Sequence, residues 1–444
     1  MVSTKRVLIA ILTLSLVASG LFAGGRTDTP ATGNVRSGPL TIWSMMTQPE
    51  RVEAFQNVAN SYMRVYPDVN VNIEVMPWGG ALDRLVASHM AGNPPDISLM
   101  GSGWTQMLAG AGALVEVSPL INEMGGQSAF FRMGLELGFY EDGYYGIPFY
   151  VAPMFAVYQR SALQAAGMTR PPTTWEEYYN LAVRSTDRSR NVFGFGKVMN
   201  GPQSSIALWP FFQANDVNLV NVDRNGNWFI DVDAAARNRL IETYDYLFRL
   251  MRDASPEGVL TYTQQELRNL VGNGLILSRL DTLEVFYDFR TRGNMTAFEN
   301  VTIYPVPGRV RNATSTGGAN LGILSRGNTA LGTDYLRWIF EGDRLVDFYL
   351  SYPYALVPVR YDMIRSPVYH ARLPDELKPV FPDIVMEALN SASFLMFANG
   401  PFPFAGEVET QQLLARPIIE MFNRGITAAQ AADLLISDLQ NLLR

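Results

Sequence analysis

Two kinds of apolar spacing alternate in the first hundred residues. Residues 40–43, 69–75 and 96–100 are apolar runs or alternate between apolar and polar positions, which predicts short strands. Residues 47–66 and 82–90 place apolar side chains three and four positions apart, which predicts amphipathic helices. Strands that alternate with helices are typical of a parallel sheet with covering helices. We therefore expect an α/β fold.

The loops that follow these three strands contain tryptophan. Trp43, Trp78 and Trp104 each lie close to the carboxyl end of a predicted strand. Ligands of parallel sheets bind at this edge, so three successive tryptophans favour a binding cleft there. Each tryptophan taken singly could equally belong to the core, because tryptophan is highly buried on average.

Residues 143–158 contain two apolar runs that are interrupted by proline. Pro148 and Pro153 each remove a hydrogen-bond donor, and a single central strand would not tolerate both. We therefore predict extended chain that crosses from one sheet to another, with Pro148 ending the first path. The Pro- and Gly-rich segment 305–318 is a second candidate crossing, and residues 352–358 are a third.

The rest of the chain continues the pattern. Further predicted helices are residues 162–167, 175–185, 233–252, 329–340, 344–349, 411–424 and 428–443, and further strands are residues 275–280, 301–306 and 322–324. Capping boxes are predicted at Thr47 with Glu50, Thr174 with Glu177, and Thr427 with Gln430. Residues 222–231 resemble a hairpin around Asn225 and Gly226.

The N-terminus predicts secretion. Lys5 and Arg6 precede the apolar run 7–18 and the small residues 19–25, so residues 1–23 read as a signal peptide. An uncleaved signal that acts as a membrane anchor is the alternative. Gly24 stands where a lipoprotein would carry its acylated cysteine, so we expect no lipidation there. Polar residues 24–37 are predicted to form a disordered lead.

Composition narrows the class of protein. The chain has no cysteine, which excludes disulfides, thiolate metal sites and cysteine nucleophiles. Without the signal, about 420 residues remain, enough for two domains with full cores. A net charge of −7 argues against a nucleic-acid partner. We expect a soluble protein with neither cofactor nor metal.

Several segments, taken together in their order, resemble extracellular solute-binding protein family 1, the maltose-binding-protein-like receptors of ABC importers. The segments are LTIWSMMTQPERVEAF, NPPDISLMGSGW, GALVEVSPL, GYYGIPFYVAPMFAVYQRSALQAAG, PPTTWEEY, NGLILS, VPGRVRNATSTGGANLGILS and ITAAQAADLLISDLQNLL. The resemblance covers nearly the whole chain after the signal. It implies a two-lobed periplasmic-binding-protein type II fold in which each lobe is a mainly parallel sheet with flanking helices.

The resemblance also implies how the chain is divided. The first lobe would be residues 38–149 plus 318–339, and the second lobe residues 153–307 plus 350–444. Three hinge crossings would lie near residues 149–153, 307–318 and 340–354. The ligand would lie between the lobes.

Family positions carried across imply ligand contacts. They are Trp43, Ser44, Met45, Met100, Gly101, Trp104, Tyr150, Ala152, Trp209, Phe402 and Phe404. Trp78 joins them as the tryptophan of the second loop. Asp281 joins them as well, although it could simply cap a predicted helix. Phe402 and Phe404 could equally be surface packing. Ala152 stands where maltose receptors carry a carboxylate, which argues against maltose.

The sequence lacks the motifs that common catalytic sites require. His89 lies on an apolar helix stripe and His370 in a predicted loop, and the sequence has no nucleophile elbow, phosphate loop or zinc-protease motif. A carbohydrate-cleaving enzyme stays possible, because it needs only two carboxylates. A peptide-binding module, or a receptor for another polar solute such as glycerol phosphate, is a further alternative. The sequence predicts a non-enzymatic, monomeric sugar receptor that delivers its ligand to a membrane permease.

Overall fold

A computed structural model describes residues 35–201, 203–224 and 226–444. The predicted signal peptide, most of the predicted lead and Asn225 of the predicted hairpin lie outside these residues. The strands are β1 (Gly38–Ser44), β2 (Val69–Val75), β3 (Ile97–Met100), β4 (Phe139–Tyr140), β5 (Gly143–Tyr144), β6 (Ile147–Pro153), β7 (Phe155–Gln159), β8 (Val220–Val222), β9 (Trp228–Ile230), β10 (Ser278–Asp281), β11 (Val301–Tyr304), β12 (Thr314–Ile323) and β13 (Ala392–Ser393).

The helices lie between and around these strands. They are α1 (Pro49–Val65), α2 (Ala81–Met90), α3 (Trp104–Gly110), α4 (Ser118–Glu123), α5 (Arg132–Gly138), α6 (Arg160–Ala165), α7 (Trp175–Arg184), α8 (Gln203–Ala214), α9 (Ala234–Ala254), α10 (Gln264–Gly272), α11 (Glu284–Thr291), α12 (Met295–Asn300), α13 (Thr329–Ile339), α14 (Val346–Ser351), α15 (Tyr361–Ile364), α16 (Pro367–Arg372), α17 (Met386–Ser391), α18 (Ala405–Thr410), α19 (Arg416–Arg424) and α20 (Ala428–Leu442). Among the described residues, no helix combines the length and apolarity needed to cross a membrane.

One sheet has the strand order β13-β12-β3-β1-β2, and β6 also pairs with β12. β1 runs parallel to β2 and β3, as the alternation of strands and helices predicts. Helix α1 connects β1 to β2 and buries Phe55, Val58 and Tyr62, which are spaced three and four positions apart. β12 runs antiparallel to both β3 and β6.

A second sheet has the order β10-β7-β11, and β7 is antiparallel to both neighbours. Phe193 and Gly196 add parallel bridges to Ile276 and Arg279. Both sheets are therefore mixed, and the expectation of a mainly parallel second sheet is wrong. Apolar alternation determines which face of a strand is buried, but it carries no signal for the direction of the neighbouring strand.

The first predicted crossing joins these two sheets. β6 belongs to the first sheet and β7 to the second, and only Met154 separates them. Pro148 does not end the path, because β6 continues through it to Pro153. The register of β6 on β12 shifts beside Pro148, which pairs with Asn320. A β-bulge is one of the few places where a sheet accommodates proline.

The three predicted capping boxes differ in how they appear in the structure. Thr427 and Gln430 form the complete predicted capping box of α20. Thr174 caps α7 by accepting from the Glu177 N–H, while the Glu177 carboxylate binds Arg170 instead of closing the box in the predicted way. The box predicted at Thr47 is wrong, since α1 begins at Pro49 with no side-chain cap.

The structure shows where the two histidines lie. His89 is buried on α2, as predicted from its apolar stripe. His370 lies in the short helix α16 rather than in a loop, because Ser366 caps that helix and Pro367 occupies its first turn.

Candidate ligand-binding cleft

A cavity of about 780 Å³ lies between the two sheets. The loops that follow β2 and β3 line one side of it, and α8, α10, α11 and α18 contribute to the other sides. The strands β6 and β12 form the floor. This volume falls within the range that small-molecule sites occupy in proteins.

Two indoles form an aromatic wall. The Trp78 and Trp104 rings meet edge to face, with centroids 5.5 Å apart, and Trp78 is 40 % exposed. Gly101 lies between them, and a Cβ at this position would come within 3.2 Å of the Trp78 ring. Indole rings offer apolar faces against which the C–H face of a sugar can pack. The partly exposed Trp78 ring therefore offers the cavity an apolar surface.

The floor brings β6 and β12 close together. Tyr150 and Ala152 line the cavity from β6, and Gly317 and Gly318 line it from β12. A Cβ at Gly318 would lie 2.6 Å from the Tyr150 carbonyl oxygen, so only glycine permits this approach. Burial raises the pKa of the Tyr150 phenol, which therefore stays protonated and can donate or accept a hydrogen bond.

A chain of ion pairs borders the cavity near α1. Arg51 contacts Glu284 at 3.0 Å, and Glu284 contacts Arg268 at 3.2 Å. Arg268 also binds Asp281 through two hydrogen bonds of 2.9 and 2.7 Å, and Arg279 lies 3.3 Å from the same carboxylate. Arg51 and Glu284 line the cavity, whereas Asp281 is fully enclosed behind them.

Asp281 is a buried ion-pair residue and not a helix cap. It is the last residue of β10, and α11 begins only at Glu284. Burial opposes ionisation of its carboxyl group, but the guanidinium groups of Arg268 and Arg279 hold its pKa below the usual range. Its oxygens are occupied by Arg268, Arg279 and Gln264, so no acceptor is left facing the cavity.

Another part of the cavity lining is acidic. Glu407 and Glu409 project from α18, and neither forms an ion pair with another described residue. Burial raises the pKa of Glu409 to about 7 and also raises that of Glu407, whose own N–H partly offsets the effect. Asp83 of α2 adds a third, more exposed carboxylate.

Five of the predicted contact residues line this cavity: Trp78, Gly101, Trp104, Tyr150 and Ala152. The others lie elsewhere. Trp43, Ser44, Met45 and Met100 are buried within the first sheet and its loop, Trp209 is buried with its Nε1 bonded to Ser393, and Phe402 packs against Trp228 and Phe404. β1 extends one residue beyond its predicted end, which draws Ser44 into the sheet, whereas β3 ends at Met100 as predicted and buries that side chain.

Several lining residues were not predicted: Arg51, Gln203, Gln264, Glu284, Glu407 and Glu409. They come from five different helices. The sequence carries no short-range signal for them, because each side chain reaches the cavity only through the packing of α1, α8, α10, α11 and α18. Glu407 and Glu409 follow the predicted Phe402–Phe404 segment, so the predicted contact segment lies only a few residues before the side chains that line the cavity.

Two sheets connected through β6 and β7, with a cavity between them, define a two-lobed binding protein. A sequence model of the family "Bacterial extracellular solute-binding protein" matches residues 48–336. The chain therefore belongs to the bacterial extracellular solute-binding protein family, as its motifs indicated. Membership in an extracellular family supports the predicted location outside the cytoplasm.

Solved structures confirm the predicted fold. The sugar-binding protein MalE of Xanthomonas citri superposes with a TM-score of 0.75 at 17% identity, covering 91% of this chain and 97% of that one. A solute-binding protein of Thermotoga lettingae bound with α-D-tagatose gives a TM-score of 0.72 at 18% identity, covering 92% and 100%. Both are binding proteins with the expected two-lobed α/β fold.

Curated relatives align over a smaller part of the chain. A candidate binding protein of Brucella abortus is 22% identical over 274 residues, and the alignment spans 61% of each chain. The maltotriose-binding protein of Pyrococcus abyssi is 27% identical over 164 residues, which is 37% of this chain and 34% of that one. The alignments thus cover less than two thirds of the length of these relatives.

Proposed function

We propose that this protein is the solute-binding receptor of an ABC importer and that it captures a sugar or oligosaccharide between its lobes. The observation that carries the proposal is the cavity between the sheets, which combines the indoles of Trp78 and Trp104 with polar groups at its rim. The similarity to a receptor bound with tagatose supports this class of ligand. The receptor presents its loaded form to a membrane permease.

In this proposal the ligand ring packs against Trp78 and Trp104, and its hydroxyls bind polar groups around it. The Tyr150 hydroxyl and the side chains of Gln203 and Gln264 are placed to donate or accept these hydrogen bonds. Ligand contacts from both lobes favour the closed form. A permease can then distinguish loaded from empty receptor, because ligand binds one state better than the other.

The lobe boundaries proposed are those predicted from the sequence, with one extension. Phe149 stacks on Phe348 at 4.6 Å between centroids, and the Tyr349 hydroxyl donates to the Phe149 carbonyl at 2.8 Å. We therefore place α14 with the first lobe. Val151 pairs with Gly318 on one side and with Val357 on the other, which supports three crossings side by side.

The proposed cellular location and oligomeric state rest on the sequence. Residues 1–23 would direct secretion and be removed, and Gly24 would prevent lipidation at a cysteine. The receptor would act as a monomer without cofactor and without catalytic turnover. Ala152 in the floor supplies no carboxylate, so the proposal does not specify maltose.

A thermal-shift screen over monosaccharides, oligosaccharides, sugar alcohols and glycerol phosphates tests the proposal. A ligand that binds only the folded state raises the melting temperature by mass action. Incubation of each hit with the protein, followed by chromatography, should return the sugar intact. A released product would show that the protein is a carbohydrate-cleaving enzyme and would overturn the receptor proposal. Peptide binding that no sugar displaces would also overturn the proposal.

A further inference from the structure

The charges that line the cavity are unbalanced. Arg51 is the single cationic side chain among the described lining residues, and it is already paired with Glu284. Asp83, Glu407 and Glu409 are left without a cationic partner in the cavity. An empty cavity can hydrate these carboxylates, but a neutral ligand that displaces the water would leave their charge uncompensated.

The unpaired carboxylates and the indoles belong to the same end of the cavity. Gly103 lies against the start of α18, where an added Cβ would come within 3.4 Å of the Pro403 carbonyl oxygen and 3.8 Å of the Gly406 nitrogen. Trp104 follows Gly103 directly, and α18 carries Glu407 and Glu409. The loop that holds the indole is thus in contact with the segment that holds the carboxylates.

We propose that this end of the cavity binds an ammonium group of the solute, so that the receptor selects an aminated sugar over its neutral counterpart; the inference rests on the proposed sugar-binding function. Glu409, with Glu407 beside it, is the residue that determines this specificity. The sugar ring packs on the indoles and its ammonium group lies between their faces and the carboxylates.

Physical chemistry supports this assignment in two ways. An ammonium group near an indole face is attracted by the ring quadrupole, and a neutral hydroxyl is not. The pKa of Glu409 is raised by burial alone, so a cation that approaches the carboxylate restores the ionised form. The other charged groups on the cavity are Asp83, Glu407, Arg51 and Glu284, and the last two neutralise each other.

A matched pair of disaccharides tests the proposal by calorimetry near neutral pH. The disaccharide of two β-1,4-linked glucosamines differs from cellobiose only by an amino group in place of a hydroxyl on each ring. We expect the aminated disaccharide to bind about tenfold to a hundredfold more tightly, as a charge-assisted hydrogen bond predicts. The N-acetylated disaccharide, which has lost the charge, should bind no better than cellobiose.

Two isosteric variants locate the effect. Glu409→Gln should weaken binding of the aminated disaccharide about tenfold, whereas binding of cellobiose should not weaken, because the neutral amide removes the uncompensated charge. Glu407→Gln should act in the same direction, and a melting curve of each variant verifies folding. Glu299→Gln is the control, because Glu299 is an exposed carboxylate outside the cavity.

The outcomes separate this inference from the proposed function. Equal or tighter binding of cellobiose overturns the inference and leaves the sugar receptor standing. An aminated preference that survives both Glu409→Gln and Glu407→Gln also overturns it, as does binding of neither disaccharide. Tight binding of a simple diamine, with no sugar bound at all, would overturn the sugar receptor and this inference together.

Discussion

The Glu409 carboxyl group links the stability of the protein to pH. Its pKa rises from 4.5 to about 7 on folding, because burial disfavours the charged form. The unfolded chain therefore loses this proton first, and the folded state is destabilised as the pH rises from about 4.5 to about 7. Glu409→Gln removes that penalty, so it should increase the free energy of unfolding by up to about 3 kcal/mol at pH about 8.

Urea denaturation of wild type and variant measures this difference. At pH about 4 the Glu409 carboxyl group is mostly protonated in both the folded and the unfolded state, so Glu409→Gln should have almost no effect there. Glu299→Gln should show no such dependence, since Glu299 is exposed. A gain in stability that is the same at both pH values would contradict the assignment of Glu409 as the titrating group.

Trp43 and Trp104 should respond differently to truncation. Trp104 lines the cavity, whereas Trp43 is 5 % exposed under the Arg84 guanidinium, which lies 4.7 Å from its ring. Trp104→Ala should abolish the ligand-induced rise in melting temperature. Trp43→Ala should instead lower the free energy of unfolding by about 3–5 kcal/mol. Loss of ligand binding in a folded Trp43→Ala variant, with Trp104→Ala unaffected, would refute this placement.

The contrast between these tryptophans shows what a sequence can say about the site. Placing tryptophan near the ends of parallel strands correctly selected Trp78 and Trp104 for the cavity wall. It could not separate them from Trp43, because a shift of one residue along a strand moves a side chain to the other face. Long-range contacts such as Arg51 with Glu284 leave no local pattern at all.

Helix α20 provides a test of capping. The Thr427 hydroxyl accepts from the Gln430 N–H at 3.2 Å, and the Gln430 side chain accepts from the Thr427 N–H at 2.8 Å. Thr427→Ala should lower the free energy of unfolding by about 1 kcal/mol in urea denaturation. Thr47→Ala is the matched control, since Thr47 precedes α1 without capping it, and should cost far less. A larger loss for Thr47→Ala would reverse the assignment of the two caps.

The same comparison explains how much of the fold was predictable. Periodicity located β1, β2 and β3 and the helices between them, because burial of one face requires that spacing. A capping motif in the sequence does not guarantee a cap in the structure, as Thr47 shows. The prediction that Pro148 ends the strand path failed for a related reason. Its missing N–H falls where the register of β6 on β12 shifts, beside Asn320, and that shift depends on the partner strand.

Helices α1 and α11 connect the two proposed lobes through side chains. Arg51 contacts Glu284 at 3.0 Å, and the Tyr287 hydroxyl donates to Glu50 at 3.1 Å. Glu284 and Tyr287 lie one turn apart on α11, so both contacts form or break together. The Arg51 side chain is largely buried and also lies over the Tyr352 ring, 4.1 Å from its centroid. An unpaired guanidinium in this position would be desolvated.

Glu284→Gln should therefore shift the empty receptor towards an open form. In this variant Arg51 no longer has a carboxylate partner, and opening of the lobes hydrates its guanidinium group. Arg268 keeps its hydrogen bonds to Asp281. Small-angle scattering of the empty variant should show a larger radius of gyration than wild type, and added ligand should restore the compact form. Ligand affinity should fall in proportion to the lost closed population, by about threefold to tenfold.

Asp245→Asn is the control for that measurement, because it breaks the exposed pair with Arg249 within α9 and leaves the inter-lobe contacts intact. The radius and the affinity of this variant should match wild type. If Glu284→Gln binds ligand more weakly with no change in the empty radius, the Arg51–Glu284 pair acts on the ligand directly and not on lobe closure. The joint change of radius and affinity is what assigns the pair to the hinge equilibrium, since a contact confined to the bound state cannot alter the shape of the empty protein.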